Sequence, residues 1–224
     1  MKWIALLGIA LLMFYCSPKN VDKGEKNGNL SQLSSEGECD FTCLQAKAMA
    51  AENEGSFDSA LEINEELRKL DPNNVTIFNT ISGLHGSLGH YDQEIEWAKK
   101  ALQVNPRYEL AYINWGNALL AKKNYTQAKE RFLQALAINP KSAPALYHLG
   151  LVADWQGQLE LALSYYQRAI AVDPTFEDPM YNAAAVLSNL RRYTEARNYL
   201  RLLLDLNPQD AQAIALLQEI KFAS

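Results

Sequence analysis

The sequence has few residues of the kinds that build metal centres or disulfide scaffolds, and it has no surplus of positive charge. Its 224 residues include 3 cysteines and 3 histidines, too few for a disulfide framework or a histidine-rich metal site. Lysine and arginine together number 21 against 26 acidic residues, a formal net charge of −5. Because no cationic excess is available to release counterions from a phosphate backbone, the composition disfavours nucleic acid as a partner.

Catalytic motifs are also missing from the sequence. It contains no phosphate-binding P-loop, no H-E-x-x-H, no G-x-S-x-G and no dinucleotide fingerprint. His85 and His90 are five residues apart, which is the wrong step for sharing one helical face in a metal site. We therefore predict a protein that is not an enzyme, with no catalytic residues, no metal and no cofactor. A hydrophobic content of 48% nevertheless supplies a packed core and excludes disorder throughout.

A short apolar run opens the chain. Met1 and Lys2 precede an uncharged segment from Trp3 to Tyr15, shorter than the ~20 residues of a spanning helix and typical of a secretory signal. We predict residues 1–15 as a signal peptide. Cys16 follows directly, and its position resembles that of the lipidated cysteine in bacterial lipoproteins, which implies a diacylglycerol on the thiol. Because Tyr15 is bulky for that motif, an uncleaved anchor or a plain signal with an incidental cysteine remain alternatives.

The next segment, 16–40, is rich in Ser, Asn, Gly and charge of both signs. It buries too little apolar surface to offset its ordering entropy, so we predict a flexible tether spanning on the order of 25–30 Å. Cys39 and Cys43 stand four residues apart at its end. On a helix this spacing puts the two Cα atoms roughly 6 Å apart, within disulfide range. A disulfide and a pair of free or buried thiols are the two interpretations.

A period of 34 residues organises the rest of the chain. Prolines recur at this interval, each after a predicted helix end, at Pro72, Pro106, Pro140, Pro174 and Pro208. The period divides the chain into units 41–74, 75–108, 109–142, 143–176 and 177–210, with 211–224 left over. Within the units, apolar residues spaced i, i+3, i+4, i+7 are interrupted near Gly55, Gly89 or Gly157, which predicts two amphipathic helices and a tight turn.

When the five units are aligned, equivalent positions show which residues are suited to packing between helices. The eighth residue is always small, as in Ser82, Gly116 and Gly150, so that two helices can approach closely. The twentieth residue is alanine in four units and Glu94 in the second. Because this unit also carries Gly83 and Gly86 inside a predicted helix, where each glycine costs roughly 1 kcal/mol against alanine, we predict that it is the weakest point of the array.

The segment Asn114 to Pro140, NWGNALLAKKNYTQAKERFLQALAINP, carries the pattern small-Gly, Tyr, Ala, Phe, Ala, Pro. The unit resembles the tetratricopeptide repeat. This resemblance implies an all-α fold, a right-handed superhelical solenoid of five helix-turn-helix repeats over 41–210, with 211–224 as a cap helix. The first repeat departs from the pattern at Lys47, Asn64 and Arg68, as we expect of a terminal unit whose outer face meets water.

In this family the first helices of the repeats line a concave groove that holds extended peptides or partner helices. The matching positions here are Asn79, Thr80, Asn114, Asn117, Tyr147, His148, Leu151, Asp154, Trp155, Tyr181, Asn182 and Asn189. Column six forms a polar ladder, which we define as Thr80, Asn114, His148 and Asn182, similar to the asparagine ladder of sugar-transferase-associated and bacterial arrays. We expect its amides to face open groove without a structural task and to bond a peptide backbone. The alternative is that asparagine is simply common at this position of the repeat and is merely solvated.

The cations of a carboxylate-clamping groove are absent from columns 2, 5, 6 and 9. A neutral, aromatic-rich groove with Tyr147, Trp155 and Tyr181 suits an uncharged peptide or an apolar helix face. A competing surface lies on the second helices, where Trp97, Tyr165 and Tyr199 recur in column 23. Packing against neighbouring units explains these aromatics more simply.

Together these features predict a lipid-anchored scaffold or adaptor for protein interactions in the bacterial cell envelope. Within the envelope, we predict that it is anchored in the outer membrane. A secreted or periplasmic protein is the alternative location. Narrower or competing roles are a pilotin-like or outer-membrane assembly factor, a non-catalytic subunit of an envelope enzyme, and a structural surface antigen. The membrane contact is predicted to be the N-terminal lipid only.

Overall fold

The computed structural model describes residues 39–221, which form eleven α-helices and no strand, as the all-α prediction requires. The predicted signal peptide, Cys16 and most of the predicted tether lie outside the described residues. The helices are α1 (Phe41–Asn53), α2 (Phe57–Leu70), α3 (Val75–Ser87), α4 (Tyr91–Val104), α5 (Glu109–Ala121), α6 (Tyr125–Ile138), α7 (Ala143–Trp155), α8 (Leu159–Val172), α9 (Glu177–Asn189), α10 (Tyr193–Leu206) and α11 (Ala211–Glu219). Two compact units divide within α3, one ending at Ile77 and the other beginning at Phe78.

The first ten helices form five pairs, each with a first helix of 13 residues and a second of 14. Three of the turns inside the pairs use a glycine in the left-handed region, Gly55, Gly89 and Gly157, at φ 72°, 75° and 72°. The other two turns place Lys123 and Arg191 there, both at φ 59°. A non-glycine residue in this region costs roughly 1–2 kcal/mol. The turns at Lys123 and Arg191 therefore keep the same backbone conformation as the glycine turns although it is locally unfavourable.

Side chains satisfy the backbone between one pair and the next. The residue before three of the regularly spaced prolines folds an Asx turn, in which Asn105, Asn139 and Asp173 accept from the backbone N–H two residues on, at 3.0, 3.1 and 2.9 Å. Three residues after Asn139, Ser142 accepts from the Ala145 N–H at 3.2 Å and caps α7. Asp210 caps α11 in the same way, accepting from the Ala213 N–H at 2.7 Å. The prolines therefore lie in turns whose polar groups are paired.

Close contact of the two helices in a pair depends on the small residue in column eight. A Cβ added at Gly116 would lie 2.4 Å from Cε1 of Phe132, and one added at Gly150 would lie 2.3 Å from Cε1 of Tyr166. Both rings are fully buried. No side chain larger than hydrogen fits between the helices at these two places, so the glycines are required by the rings.

Gly86 and Glu94, the two residues of the second repeat that depart from the favourable pattern, lie against each other. A Cβ added at Gly86 would lie 2.7 Å from the carboxyl carbon of Glu94, a residue that is 4% exposed. Glycine in α3 therefore makes the space that a glutamate in α4 fills. Burial of the carboxyl group raises the pKa of Glu94 to about 8.

The first repeat contains a polar residue where the sequence predicted contact with water. Lys47 is exposed, as expected, but Asn64 is 3% exposed and the expectation is wrong for it. Its Nδ2 donates to the Ala60 carbonyl at 2.9 Å. A hydrogen bond also links it to Glu52, whose pKa is raised by burial and partly restored by that bond. Asn64 is tolerated in the core because its amide is bonded.

Helix α11 covers the end of the fifth repeat. Ala213 and Ile220 are almost fully buried in the same core cluster as Leu200 and Leu203. Arg197 Nη1 donates to the Ile220 carbonyl at 3.0 Å and ties the end of α11 to α10. The last helix thus supplies the apolar cover that a following repeat would give.

We predict that the Glu94 carboxyl makes stability depend on pH. Its folded pKa of about 8 lies above the ordinary value of 4.5, so its stabilising contribution is fully present below pH 4.5 and is lost as pH rises through 8. Relative to Glu94→Gln, the wild-type free energy of unfolding should fall by up to roughly 1.4 kcal/mol per pH unit between these values. Urea unfolding across this pH range measures it, with Glu96→Gln as the exposed control. Parallel pH curves for wild type and Glu94→Gln would contradict the prediction.

We predict that Gly86 and Glu94 are energetically coupled. Gly86→Ala should destabilise the wild type by about 1–3 kcal/mol, because the new methyl group overlaps the carboxyl group. In a Glu94→Ala background the same change should be neutral or stabilising by up to about 1 kcal/mol, since alanine is the better helix former. A double-mutant cycle in urea measures the coupling, and additive effects would show that the two residues act independently.

Candidate functional site

Two amides of the predicted polar ladder are bonded to the preceding repeat. Asn114 Nδ2 donates to both the backbone carbonyl and the Oδ1 of Asn79, each at 3.1 Å. Asn182 Nδ2 donates to the Tyr147 hydroxyl at 3.1 Å. The expectation that ladder amides have no structural task is therefore wrong for these two residues. Column six of one repeat bonds column five of the repeat before it.

His148, in the same ladder, packs as an aromatic ring. It stacks on Phe132, with ring centroids 5.0 Å apart and planes 13° apart, and it also contacts Tyr147 at 5.2 Å. Its Nδ1 is buried without a hydrogen-bond partner in the described part of the chain, and burial lowers its pKa to about 4. The imidazole is consequently neutral at pH 7. It extends the core toward the groove and offers a partner no charge.

Other predicted groove residues differ in how accessible they are. Trp155 is 54% exposed, with its ring edge-on to Tyr125 at 5.7 Å. Asn117 is half-buried, and its Oδ1 has no hydrogen-bond partner among residues 39–221. Thr80 and Tyr181 are also half-buried. The groove face thus retains aromatic surface, whereas the Asn117 amide oxygen is itself buried.

A cavity of about 210 Å³ lies where α7, α9, α10 and α11 meet. Its lining brings together three predicted groove residues, Tyr147, Tyr181 and Asn182, and adds others that the sequence did not indicate. The added residues are Glu177, Asp178, Leu203, Asp210 and Gln212. Three of these are acidic, so the expectation of a neutral groove is wrong at this end.

The three carboxylates of the cavity differ in how they are held. Glu177 Oε2 accepts from Asn207 Nδ2 at 3.1 Å, and Asp210 Oδ1 accepts from the Ala213 N–H at 2.7 Å. Asp178 is exposed and makes no hydrogen bond or ion pair in the described part of the chain. Burial raises the pKa of Tyr147, and the charge of Asp178 raises it further. Asp178 is the carboxylate with no structural role, and it lies close to an aromatic wall.

A buried hydroxyl group lies behind this wall. Tyr166 is fully buried, its ring centroid is 6.0 Å from that of Tyr147, and its hydroxyl has no hydrogen-bond partner among the described residues. Burial raises its pKa strongly, and the charges of Asp154 and Tyr147 contribute. Tyr166 thus contacts a residue of the cavity wall but does not itself line the cavity.

The aromatic side chains of column 23, on the second helices, pack against other residues of the protein. Trp97 stacks on Phe78 with ring centroids 5.8 Å apart, and Lys100 Nζ lies 3.7 Å from the Trp97 centroid. Tyr165 and Tyr199 are half-buried against the core of the last repeats. The competing surface is therefore largely explained by contacts inside the protein.

The remaining candidate residues lie at the start of α1. Cys39 and Cys43 form a disulfide, with an S–S distance of 2.08 Å and Cα atoms 5.4 Å apart. Asp40 between them caps α1 by accepting from the Cys43 N–H at 2.8 Å. Along 39–221, every helix is too short or too polar to cross a bilayer.

Comparison with known proteins agrees with the helix pairs. Three family models, each described as tetratricopeptide repeat, match residues 75–108, 113–175 and 155–220. One curated relative is the probable UDP-N-acetylglucosamine-peptide N-acetylglucosaminyltransferase SPINDLY of Hordeum vulgare, 27% identical over 139 residues and 59% of this chain. The chain spans only 14% of that protein's length.

Solved structures share the fold. A thermophilic tetratricopeptide protein of Thermus thermophilus is 20% identical with a TM-score of 0.72, covering 82% of this chain and 100% of that one. YrrB, described as a tetratricopeptide protein with an unusual peptide-binding site, is 19% identical with a TM-score of 0.54, covering 82% and 94%. The predicted helix-turn-helix solenoid is confirmed by these likenesses together with the family models. The chain belongs to the tetratricopeptide repeat family.

Proposed function

We propose that this protein is a lipid-anchored scaffold of the bacterial cell envelope that holds a segment of a partner protein in its groove. The groove is the face formed by the first helices of the second to fifth repeats, α3, α5, α7 and α9. Tetratricopeptide repeat proteins generally mediate protein–protein interaction, and the proposal adds a place and an anchor. The observation that carries it is the cavity at the end of this face, where Tyr147, Tyr181 and Asn182 converge.

The chemistry of the groove supports a peptide or helix as the occupant. Trp155 offers a large exposed ring, and Tyr181 and Asn182 line the cavity. Aromatic rings beside isolated polar groups are typical of surfaces that bind protein segments. The bonded amides Asn114 and Asn182 hold successive repeats in register and so preorganise the face.

Sequence features near the N-terminus support the envelope location. The run from Trp3 to Tyr15 has the length of a signal segment, and Cys16 follows it at the position of a lipoprotein cysteine. The disulfide between Cys39 and Cys43 agrees with an oxidising compartment outside the cytosol. Ser17 lacks the acidic character that often marks inner-membrane retention, so we place the anchor in the outer membrane.

Photocrosslinking tests which face binds the partner. Tyr181, on the groove, and Tyr199, on a second helix, are both half-buried tyrosines and form a matched pair. Each is replaced in turn by the photoreactive residue benzoylphenylalanine, and cells are irradiated before the membranes are analysed. We expect a defined adduct with another protein at Tyr181 and none at Tyr199. An adduct at Tyr199 alone would move the site to the second helices.

Cys16→Ala tests the anchor. The wild-type protein should incorporate labelled palmitate and partition into the detergent phase, because its thiol carries the lipid. The variant should lose the label and leave the membrane fraction, with Cys39→Ala/Cys43→Ala as a control that keeps both properties. Absence of label in the wild type, or unchanged partitioning of Cys16→Ala, would refute the lipid anchor.

A further inference from the structure

We propose that a second cavity, between α10 and α11, is the docking site for one acidic amphipathic helix of a partner protein. The helix would take the place that a second helix occupies in the regular repeats. This cavity measures about 440 Å³, and none of the groove residues named above line it. The inference therefore concerns a surface separate from the groove and goes beyond the function proposed for it.

Helix α11 has the register of a first helix, but within residues 39–221 no second helix follows it. It begins at Ala211, 34 residues after the start of α9 at Glu177, and it packs on α10. The residues through which it lines the cavity are spaced i, i+3, i+4, i+7, so they share one face of the helix. They are Ile214, Leu217, Gln218 and Lys221.

The equivalent face of α9 shows what such a face contacts in a complete repeat. The residues 34 positions earlier are each at most 2% exposed, and they are Met180, Ala183, Ala184 and Leu187. They lie in one core cluster with Ala196 and Leu200 of α10, the second helix of that repeat. In α11, by contrast, Ile214 is 36% exposed, and Gln218 and Lys221 are exposed as well. The face that a second helix covers in the fifth repeat is thus uncovered in α11 by any described residue.

Part of this face is apolar. Leu217 packs against the core of the last repeats and also lines the cavity. Ile214 lies one helical turn before it, on the same side of α11. Aliphatic side chains one turn apart are the contacts on which the apolar stripe of an amphipathic helix docks.

The charge of the cavity selects an acidic helix. Arg197, Arg201 and Lys221 line it, and no carboxylate is among the described residues that do, although acidic residues outnumber basic ones in the chain by 26 to 21. Arg201 is exposed and forms no ion pair with a described residue. Arg197 is fixed where the two helices meet, since its guanidinium donates to the Ile220 carbonyl at 3.0 Å and to Thr194 Oγ1 at 3.1 Å. Carboxylates beside an apolar stripe would complement these cations.

The same cations argue against a second copy of this chain docked face to face on this surface. In such a symmetric contact the same patch is used by both copies, so the cations of one copy would meet those of the other. Juxtaposed like charges are unfavourable at an interface. A partner of opposite charge is therefore the occupant that the cavity favours.

Calorimetric titration of the full chain with two peptides tests the inference. Each peptide has 14 residues, the length of the second helices in the array. The acidic one is acetyl-AELLEALLEELLEA-amide, and in its control every glutamate is replaced by glutamine, which keeps the apolar stripe and removes the charge. We expect the acidic peptide to bind at least about tenfold more tightly, and more weakly as salt rises. Equal affinities, or no binding of either peptide, would overturn the inference.

Three variants locate the binding. Arg201→Gln removes an exposed cation of the cavity and should weaken binding of the acidic peptide roughly five- to tenfold, whereas Arg107→Gln, an exposed arginine outside the cavity, should leave it unchanged. Ile214→Ser should also weaken it, because the peptide's apolar stripe rests there. Equal weakening by the two arginine variants would reduce the effect to overall charge and overturn the site. An unchanged affinity of Ile214→Ser would overturn the helix-docking mode.

Sedimentation of the free chain at low salt tests whether a second copy is the occupant instead. We expect no self-association that depends on Arg201. A dimer formed by the wild type and lost in Arg201→Gln would assign the face to a second copy and overturn the partner helix. The crosslink at Tyr181 reports on the groove alone, so failure of the groove function and failure of this site give different results.

Discussion

In three of the five helix pairs, close approach depends on a contact between a glycine of the first helix and a larger residue of the second, as at Gly86, Gly116 and Gly150. At Gly116 and Gly150 the contacting group is a fully buried ring, and even a methyl group would overlap it. The contact fixes how closely the two helices approach, and that distance fixes which side chains reach the next pair. Because the same contact recurs 34 residues apart at Gly116 and Gly150, the third and fourth helix pairs present their first helices in the same way.

The second repeat shows that the combined size of the two contacting side chains matters, and not the size of either one alone. Its column twenty has Glu94 where the others have alanine, and the carboxyl group occupies the space left by Gly86. Two substitutions that each look unfavourable in sequence thus form one fitting contact. What remains is an electrostatic cost, since the carboxyl is buried and is largely protonated at neutral pH. That this repeat is the weakest of the five stays a prediction, but the glycine and the glutamate on which it was based fit together.

The period and the aligned columns were sufficient to predict the helix pairs, most of their turns and the terminal helix, because these follow from local patterns repeated five times. Contacts between repeats were not predictable in the same way. Asn114 bonds Asn79, which is 35 residues earlier, so its partner lies in a different column as well as a different unit. Reading one column at a time therefore showed a row of amides without showing what each amide contacts. Asn64 illustrates the same limit, since only packing shows that it is buried.

The acidic cavity arises because the array ends beside it. Column two is uncharged in the first four repeats and becomes Asp178 in the fifth, next to Glu177 in the first turn of α9. Asp210 joins them only because α11 folds back over the fifth repeat, where it needs an N-cap. The requirements of helix capping and of ending the solenoid thus concentrate acidic side chains at one end of the groove.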